Sequence, residues 1–173
     1  MTADLIRSLT ASMIDAQFVD AMERCARTFE HYRGRLPLVP YAYTRTRILR
    51  TDRFEVVAMQ WAARSSSPIH DHGTSRCWVL LMGGALEVEN FEVDDPSGDP
   101  VSLRETGRFA LAAGDLDFRG GPRELHRVWN PSDEPAFSLQ LYAEPITAYT
   151  VIDAHTLRGR SAIAVCDLDL TLV

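Results

Sequence analysis

The sequence predicts a mainly β protein, a sandwich or barrel, with helices confined to its N-terminal end. Apolar residues recur near helical spacing only between Ala3 and about Tyr32. Beyond Pro40 the chain changes to short alternating or apolar runs, separated by turn clusters such as Asp94-Asp95-Pro96-Ser97-Gly98. Many short runs at fairly even spacing are typical of all-β domains. A length of 173 residues favours one domain with a sizeable core.

The N-terminal region is predicted to form two or three amphipathic helices. The apolar residues near helical spacing are Leu5, Leu9, Phe18, Met22, Phe29 and Tyr32. A break is expected between Thr10 and Asp15. Gly34, followed by Pro37 and Pro40, should end the region, because proline lacks the amide donor that a helix interior needs.

The predicted strands occupy the runs Tyr41–Leu49, Phe54–Trp61, Cys77–Met82, Leu86–Phe91, Val101–Glu105, Leu125–Trp129, Phe137–Tyr142, Tyr149–Ile152 and Ala162–Leu172. Gly83-Gly84 lies between two of these runs and predicts a hairpin turn. The predicted organisation is therefore one domain over residues 1–173. Its N-terminal helices fall within residues 1–34, and its β-barrel covers residues 41–173.

Composition limits the class of partner. The net charge of -6 disfavours binding to nucleic acid or to an anionic membrane, although a local pocket could still take a small anion. The cysteines Cys25, Cys77 and Cys166 are odd in number and unrelated in spacing, so a disulfide framework is not expected. That usage fits a reducing compartment. With no signal-like or membrane-length apolar run, we expect a cytoplasmic enzyme or binding protein.

Three histidines predict a metal site. His70 and His72 are two residues apart, which puts both on one face if the segment is a β-strand. Asp71 should then point the other way and act as a structural hydrogen-bond acceptor. His126 could supply a third imidazole from a distant strand. Imidazole binds iron, copper, zinc and nickel alike, so the spacing by itself leaves the metal open.

The frame around these histidines resembles the two motifs of the cupin superfamily. It reads His70-x-His72-x4-Cys77-x6-Gly84, then Gly114-x5-Gly120, then His126-x3-Asn130. Cys77 stands where many cupins have a metal-binding glutamate. Gly121-Pro122 departs from the usual Pro-x-Gly order, which affects the expected turn geometry but not the histidine.

A narrower resemblance joins four motifs, in the same order and with similar spacings, up to about Asp153. They are Tyr43-Thr44-Arg45, Ser67-Pro68-Ile69-His70-Asp71-His72 with Ser75 and Cys77, Leu125-His126-Arg127-Val128, and Ser138-Leu139-Gln140-Leu141-Tyr142. Together they resemble cysteine dioxygenase. The resemblance implies a cupin-type β-barrel (a double-stranded jelly roll) with an N-terminal helical segment, and a monomer. It also implies an Fe(II) centre held by His70, His72 and His126, which adds both atoms of O2 to a thiol and forms a sulfinate.

The same resemblance assigns roles to residues near the metal. Arg45 would grip the substrate carboxylate with help from Tyr43, which favours L-cysteine over 3-mercaptopropionate, since relatives that prefer the latter have glutamine there. On alternation alone, both side chains would be read as part of a solvated strand. Cys77 and Tyr142 match the pair that forms a thioether bond in animal-type members, and Tyr142 would steady the reacting sulfur and oxygen.

One position departs from the family pattern. Ser138, Gln140 and Tyr142 share a strand face where the family has a Ser-x-His-x-Tyr relay. Glutamine can hydrogen-bond to the Tyr142 hydroxyl and to Ser138, but it does not titrate near neutral pH. Three alternatives stay open: a dioxygenase for another small carboxylated thiol, a non-catalytic metal-binding cupin, and a zinc or nickel cupin hydrolase or isomerase.

Overall fold

The computed structural model describes residues 16–35, 37–95, 98–120 and 124–170. Helix α1 spans Ala16–Tyr32, and a short 3-10 helix follows at Arg33–Arg35. The strands in the described part of the chain are β1 Tyr43–Arg50, β2 Phe54–Trp61, β3 Ile69–His70, β4 Arg76–Gly83, β5 Ala85–Asp95, β6 Ser102–Ala112, β7 Leu116–Arg119, β8 Leu125–Trp129, β9 Ala136–Ala143, β10 Ala148–Ile152, β11 Gly159–Ile163 and β12 Leu168–Asp169.

The strands form two six-stranded sheets. The first sheet has the order β12-β1-β2-β9-β4-β7, and the second has the order β11-β10-β3-β8-β5-β6. The strand pairs are antiparallel except for β12, which runs parallel to β1. The predicted mainly β architecture with an N-terminal helical segment is confirmed.

Two hydrophobic layers hold this arrangement together. Helix α1 lies on the outer face of the first sheet, where Met22, Cys25 and Phe29 pack against Ile48 and Leu139. A second buried cluster fills the inside of the barrel and includes Val57, Trp61, Val79, Leu81, Leu86, Val88 and Val128. The helix therefore covers the back of the sheet and leaves the barrel interior for a site. No helix among the described residues is long and apolar enough to cross a membrane.

The structure differs from the sequence prediction in some strand positions. Strands β3 and β7 were not predicted, because two and four residues are too short to show a periodic pattern. Strand β6 extends well past the predicted Val101–Glu105. The prediction was too short because most side chains of β6 are exposed and show no apolar alternation. The predicted run Ala162–Leu172 contains only the end of β11 and the short β12.

The N-terminal prediction is only partly covered by the structure. Helix α1 agrees with the predicted stripe at Met22 and Phe29, which are 2% and 0% exposed. Its last residue, Tyr32, lies just before Gly34, as the proline-containing segment predicts. The predicted break at residues 10–15 and any earlier helix lie outside the described residues, as does Gly121-Pro122.

The hairpin between β4 and β5 gives a test of local backbone geometry. Gly84 has φ +80°, and a Cβ there would lie 2.8 Å from the Cα of Ala136. A Cβ at Gly83 would make ordinary van der Waals contacts, 3.8 Å from Arg33 and 3.9 Å from Phe137.

We expect Gly84→Ala to lower the free energy of unfolding by about 2 kcal/mol or more, because alanine disfavours the left-handed backbone conformation and its Cβ would clash with the backbone of Ala136. The matched Gly83→Ala should change it by less than about 1 kcal/mol. Urea unfolding measures both, and equal effects would contradict the assigned turn.

Candidate metal centre

A cavity between the two sheets collects most of the predicted site residues. It is lined by Tyr43, Arg45, Met59, Trp61, Ser67, His70, His72, Val79, His126, Val128, Gln140, Tyr142, Ile146 and Tyr149. The space between them is about 430 Å³ including its open mouth. Its walls are largely apolar, and its polar groups converge from both sheets.

The three predicted histidines meet in this cavity. His70 ends β3 and lies directly opposite His126 on β8, while His72 follows in the loop after β3. The expectation that His70 and His72 share a strand face is therefore wrong, because the strand stops at His70. The Nε2 atoms of His70 and His126 are 3.3 Å apart, and one ligand atom from each of the three rings lies within 4.8 Å of the others.

The 3.3 Å between the Nε2 atoms of His70 and His126 fits a shared metal ion. Two nitrogen ligands at about 2.1 Å from a metal stand roughly 3.0–3.4 Å apart in octahedral or tetrahedral geometry. The Nδ1 of His70 donates a hydrogen bond to the Pro68 carbonyl at 2.9 Å, which leaves its Nε2 lone pair facing the cavity. Burial lowers the pKa of His70 to about 4 and holds the pKa values of His72 and His126 well below their usual range. All three rings are therefore neutral at pH 7, the form that binds metal.

The loop that returns His72 to the cavity is held by Asp71. Asp71 Oδ1 accepts backbone hydrogen bonds from Gly73 at 3.0 Å and from Thr150 at 2.8 Å. A Cβ at Gly73 would lie 2.6 Å from the Ala148 carbonyl oxygen, so the loop packs closely on β10. The prediction that Asp71 is a structural acceptor is confirmed.

Arg45 presents unpaired hydrogen-bond donors to the cavity. Its Nε and Nη2 are buried and have no hydrogen-bond partner among the described residues. These two nitrogens form the edge of a guanidinium that binds a carboxylate side-on. The backbone of Arg45 is fixed by Asp167, whose carboxylate accepts its amide at 2.7 Å and whose amide donates to its carbonyl at 2.8 Å. Tyr43, two residues earlier on the same strand face, packs on Trp61 with ring centroids 5.1 Å apart.

Cys77 and Tyr142 are neighbours across two strands. They lie directly opposite each other on β4 and β9, where Cβ atoms are about 4.5–5.5 Å apart. Burial raises the pKa of the Cys77 thiol and of the Tyr142 hydroxyl, so both groups are protonated at neutral pH. The Tyr142 ring also meets His72 edge-on at 5.4 Å and lies 5.7 Å from the Arg45 guanidinium carbon. The pair therefore adjoins both the histidines and the arginine.

The predicted Ser138–Gln140–Tyr142 row is split into two hydrogen-bonded pairs. The Tyr142 hydroxyl donates to Gln140 Oε1. Ser138 Oγ instead accepts from Trp61 Nε1 at 3.1 Å. This bond was not predicted from the sequence. Every residue of β2 is buried, so that strand shows no alternation that would identify its inward side.

Comparison with known proteins is consistent with this geometry. The family model for cysteine dioxygenase type I matches residues 2–155. Cysteine dioxygenase type 1 proteins from Danio rerio and Homo sapiens are each 30% identical over 118 residues, which cover 67% of this chain and 58% of the relative. The matched part thus spans less than two thirds of the relatives' own length.

Similarity to solved structures concerns the fold alone. Peruvianin-I, described as a cysteine peptidase from Thevetia peruviana latex, is 12% identical with a TM-score of 0.51, over 76% of this chain and 74% of that one. The family match is more specific, because it covers most of the sequence and includes every motif around the cavity. The chain belongs to the cysteine dioxygenase type I family.

Proposed function

We propose that this protein is a non-haem Fe(II) thiol dioxygenase that oxidises L-cysteine with O2 to cysteine sulfinate. The observation that carries the proposal is the convergence of three neutral imidazoles and one unpaired arginine edge in a single buried cavity. The family match supports the same reaction class. From the family resemblance and composition we further propose that the protein is a cytoplasmic monomer.

The donor set suits an iron centre with open positions. His70, His72 and His126 would hold Fe(II), which supplies redox chemistry with O2 and a cation that favours the thiolate form of the substrate. Three protein ligands leave room for further ligands on a six-coordinate metal. The neutral side chains do not have to lose a proton before binding the metal.

Arg45 and Tyr43 would select and orient the substrate. The buried Nε and Nη2 of Arg45 lack an acceptor, and a substrate carboxylate would satisfy both at once. Tyr43 lines the same cavity and could add a hydroxyl contact. Holding the carboxylate at one end places the thiol toward the histidines, and fixed proximity lowers the barrier to reaction. Apolar walls at Met59, Val79 and Ile146 limit the access of water.

We also propose that Cys77 and Tyr142 become joined by a thioether bond. Cys77 Sγ would bond to a ring carbon beside the Tyr142 hydroxyl, with loss of the thiol hydrogen and one ring hydrogen. The two electrons and two protons would go to O2 and give hydrogen peroxide. The directly opposed strand positions support the pairing.

Gln140 makes a second thiol substrate a candidate. The Tyr142 hydroxyl donates its hydrogen bond to Gln140 Oε1. Because a glutamine amide does not titrate, Gln140 cannot pass on a proton as the histidine of the family relay could. A site with this change could take another small carboxylated thiol, such as 3-mercaptopropionate. A non-catalytic metal-binding cupin is the alternative from another class, but it would not need the unpaired Arg45 edge.

The proposed function is tested by anaerobic loading with Fe(II), followed by thiol and air-saturated buffer. We expect oxygen uptake with L-cysteine and a sulfinate product by mass spectrometry. A panel containing 3-mercaptopropionate and cysteamine, which lacks the carboxylate, reports substrate choice. Absence of a sulfinate from every thiol in the panel would refute the dioxygenase proposal and favour a binding protein.

Arg45→Gln tests the carboxylate site. Losing a charge-assisted bidentate contact of about 2–3 kcal/mol should reduce kcat/KM for L-cysteine by roughly 30- to 150-fold. The activity with 3-mercaptopropionate should fall less, so the preference shifts. Arg64→Gln is the matched control, because that arginine is exposed and pairs only with exposed Asp133 in the described structure. An unchanged preference for cysteine in Arg45→Gln would contradict the assignment.

Peptide mass analysis tests the thioether. After repeated turnover with Fe(II), cysteine and O2, the peptides that contain Cys77 and Tyr142 should be linked with the loss of two hydrogen atoms. Cys77→Ser and Tyr142→Phe should each abolish the linked species, while Cys25→Ser in helix α1 should leave it intact. Unmodified Cys77 and Tyr142 side chains after many turnovers would rule the bond out.

A further inference from the structure

Arg119 is a second buried arginine beside the candidate metal centre, and it does not line the cavity. It lies directly opposite Cys77 on β7 and β4, so its side chain points into the barrel as Cys77 does. The side chain is 9% exposed. Its Nε donates to Asp117 Oδ2 at 2.8 Å, and its Nη1 donates to Asn90 Oδ1 at 2.5 Å.

The contact with Asn90 brings the Arg119 guanidinium to the strand pair that carries His126. Asn90 on β5 lies directly opposite His126 on β8, so their side chains are neighbours on one face of the sheet. The Nε2 of His126 faces His70, which turns the Nδ1 of His126 away from the histidine cluster. Arg119 also adds to the positive field on His126, in keeping with this placement.

Two buried nitrogens in this region lack an acceptor. Among the described residues, neither Arg119 Nη2 nor His126 Nδ1 has a hydrogen-bond partner. A metal on Nε2 would leave the single proton of neutral His126 on Nδ1, so both atoms would be donors. A histidine that binds metal ordinarily donates its other N–H to a carboxylate, a carbonyl or water. For His126 Nδ1, no described residue supplies such a group within hydrogen-bond distance.

The unpaired donors favour an anion over water at this point. Arg47 is paired with Glu55 and Asp169, and Arg119 Nε is paired with Asp117. The buried Nη2 of Arg119 is still left without an acceptor among the described residues. Water would need acceptors for its own two hydrogens, whereas a halide only accepts.

We propose that a small inorganic anion of the size of chloride binds between Arg119 Nη2 and His126 Nδ1, outside the coordination sphere of the metal. The anion would accept both orphaned donors and fix the orientation of the His126 ring. Arg119 is thereby a positioning residue for a metal ligand. The inference rests on the proposed function only for the metal that sets the His126 tautomer, and not for the thiol chemistry.

Bromide gives a direct structural test. Crystals of the Fe(II)-loaded protein grown with bromide in place of chloride should show an anomalous peak within hydrogen-bond distance of both nitrogens. The peak should vanish in the double variant Asp117→Asn/Arg119→Met, which removes both charges and leaves no unpaired buried carboxylate. Arg64→Met, at an exposed ion pair, should keep it. No peak, or a peak only at an open position of the metal, would overturn the proposal.

Thermal unfolding in solution gives a second test, which also applies if crystals fail. A ligand that binds only the folded state raises Tm with its concentration. Chloride should therefore raise the Tm of the Fe(II)-loaded protein relative to gluconate at equal ionic strength, and the rise should saturate. The double variant should lose this chloride-specific rise, and Arg64→Met should retain it. Equal Tm values in both salts for the wild-type protein would count against the site.

These readouts separate the anion site from the proposed reaction. A bromide peak in a protein that forms no sulfinate would retain the anion site and reject the dioxygenase. A sulfinate product without any halide at Arg119 would retain the dioxygenase and reject the anion site.

Discussion

The pairing of β3 with β8 is the contact on which the candidate site depends. It places His70 directly opposite His126, across a strand that is only two residues long. So short a strand contributes little stability by itself and is held from its other side by β10. Asp71 completes that support by accepting the backbone amides of Gly73 and Thr150, which also returns His72 to the cavity. The arrangement of the three histidines thus depends on strand order and on one loop carboxylate.

Burial then decides the charge state of nearly every group in the cavity. The three imidazoles, the Cys77 thiol and the Tyr142 hydroxyl are all neutral at pH 7, because the surroundings disfavour their charged forms. Among the described residues that line the cavity, Arg45 carries the charge, and none of them provides an acceptor for its inward edge. An interior of this kind is complementary to a small carboxylate joined to a group that binds metal. Cysteine, the proposed substrate, is such a molecule.

Much of the architecture could be predicted from the sequence, because long alternating runs and turn clusters determine a β fold. Strands β2 and β8 were predicted at their observed bounds, while β3 and β7 were too short to have a pattern. The histidines were found by motif, yet the prediction that His72 shares a strand face with His70 was wrong, because the strand ends at His70. Local periodicity does not reveal where a short strand stops.

Other contacts between distant strands could not be predicted from residue patterns. The bond from Trp61 to Ser138 joins residues 77 positions apart, and Arg119 meets Asn90 across the barrel. Both depend on strand order and register, which a single sequence does not display. Cys77 beside Tyr142 was foreseen only through the family resemblance, and the direct strand pairing now gives it a physical basis.

The central claim is that the histidine centre adds both atoms of O2 to the thiol of cysteine. Oxygen-18 labelling tests this most directly: the Fe(II)-loaded protein is given L-cysteine under labelled O2 in unlabelled water, and the product is weighed by mass spectrometry. The account predicts cysteine sulfinate that carries two labelled oxygens on sulfur, and no such product from His126→Ala. A sulfinate with one label or none, or labelled sulfinate formed equally well by His126→Ala, would contradict it.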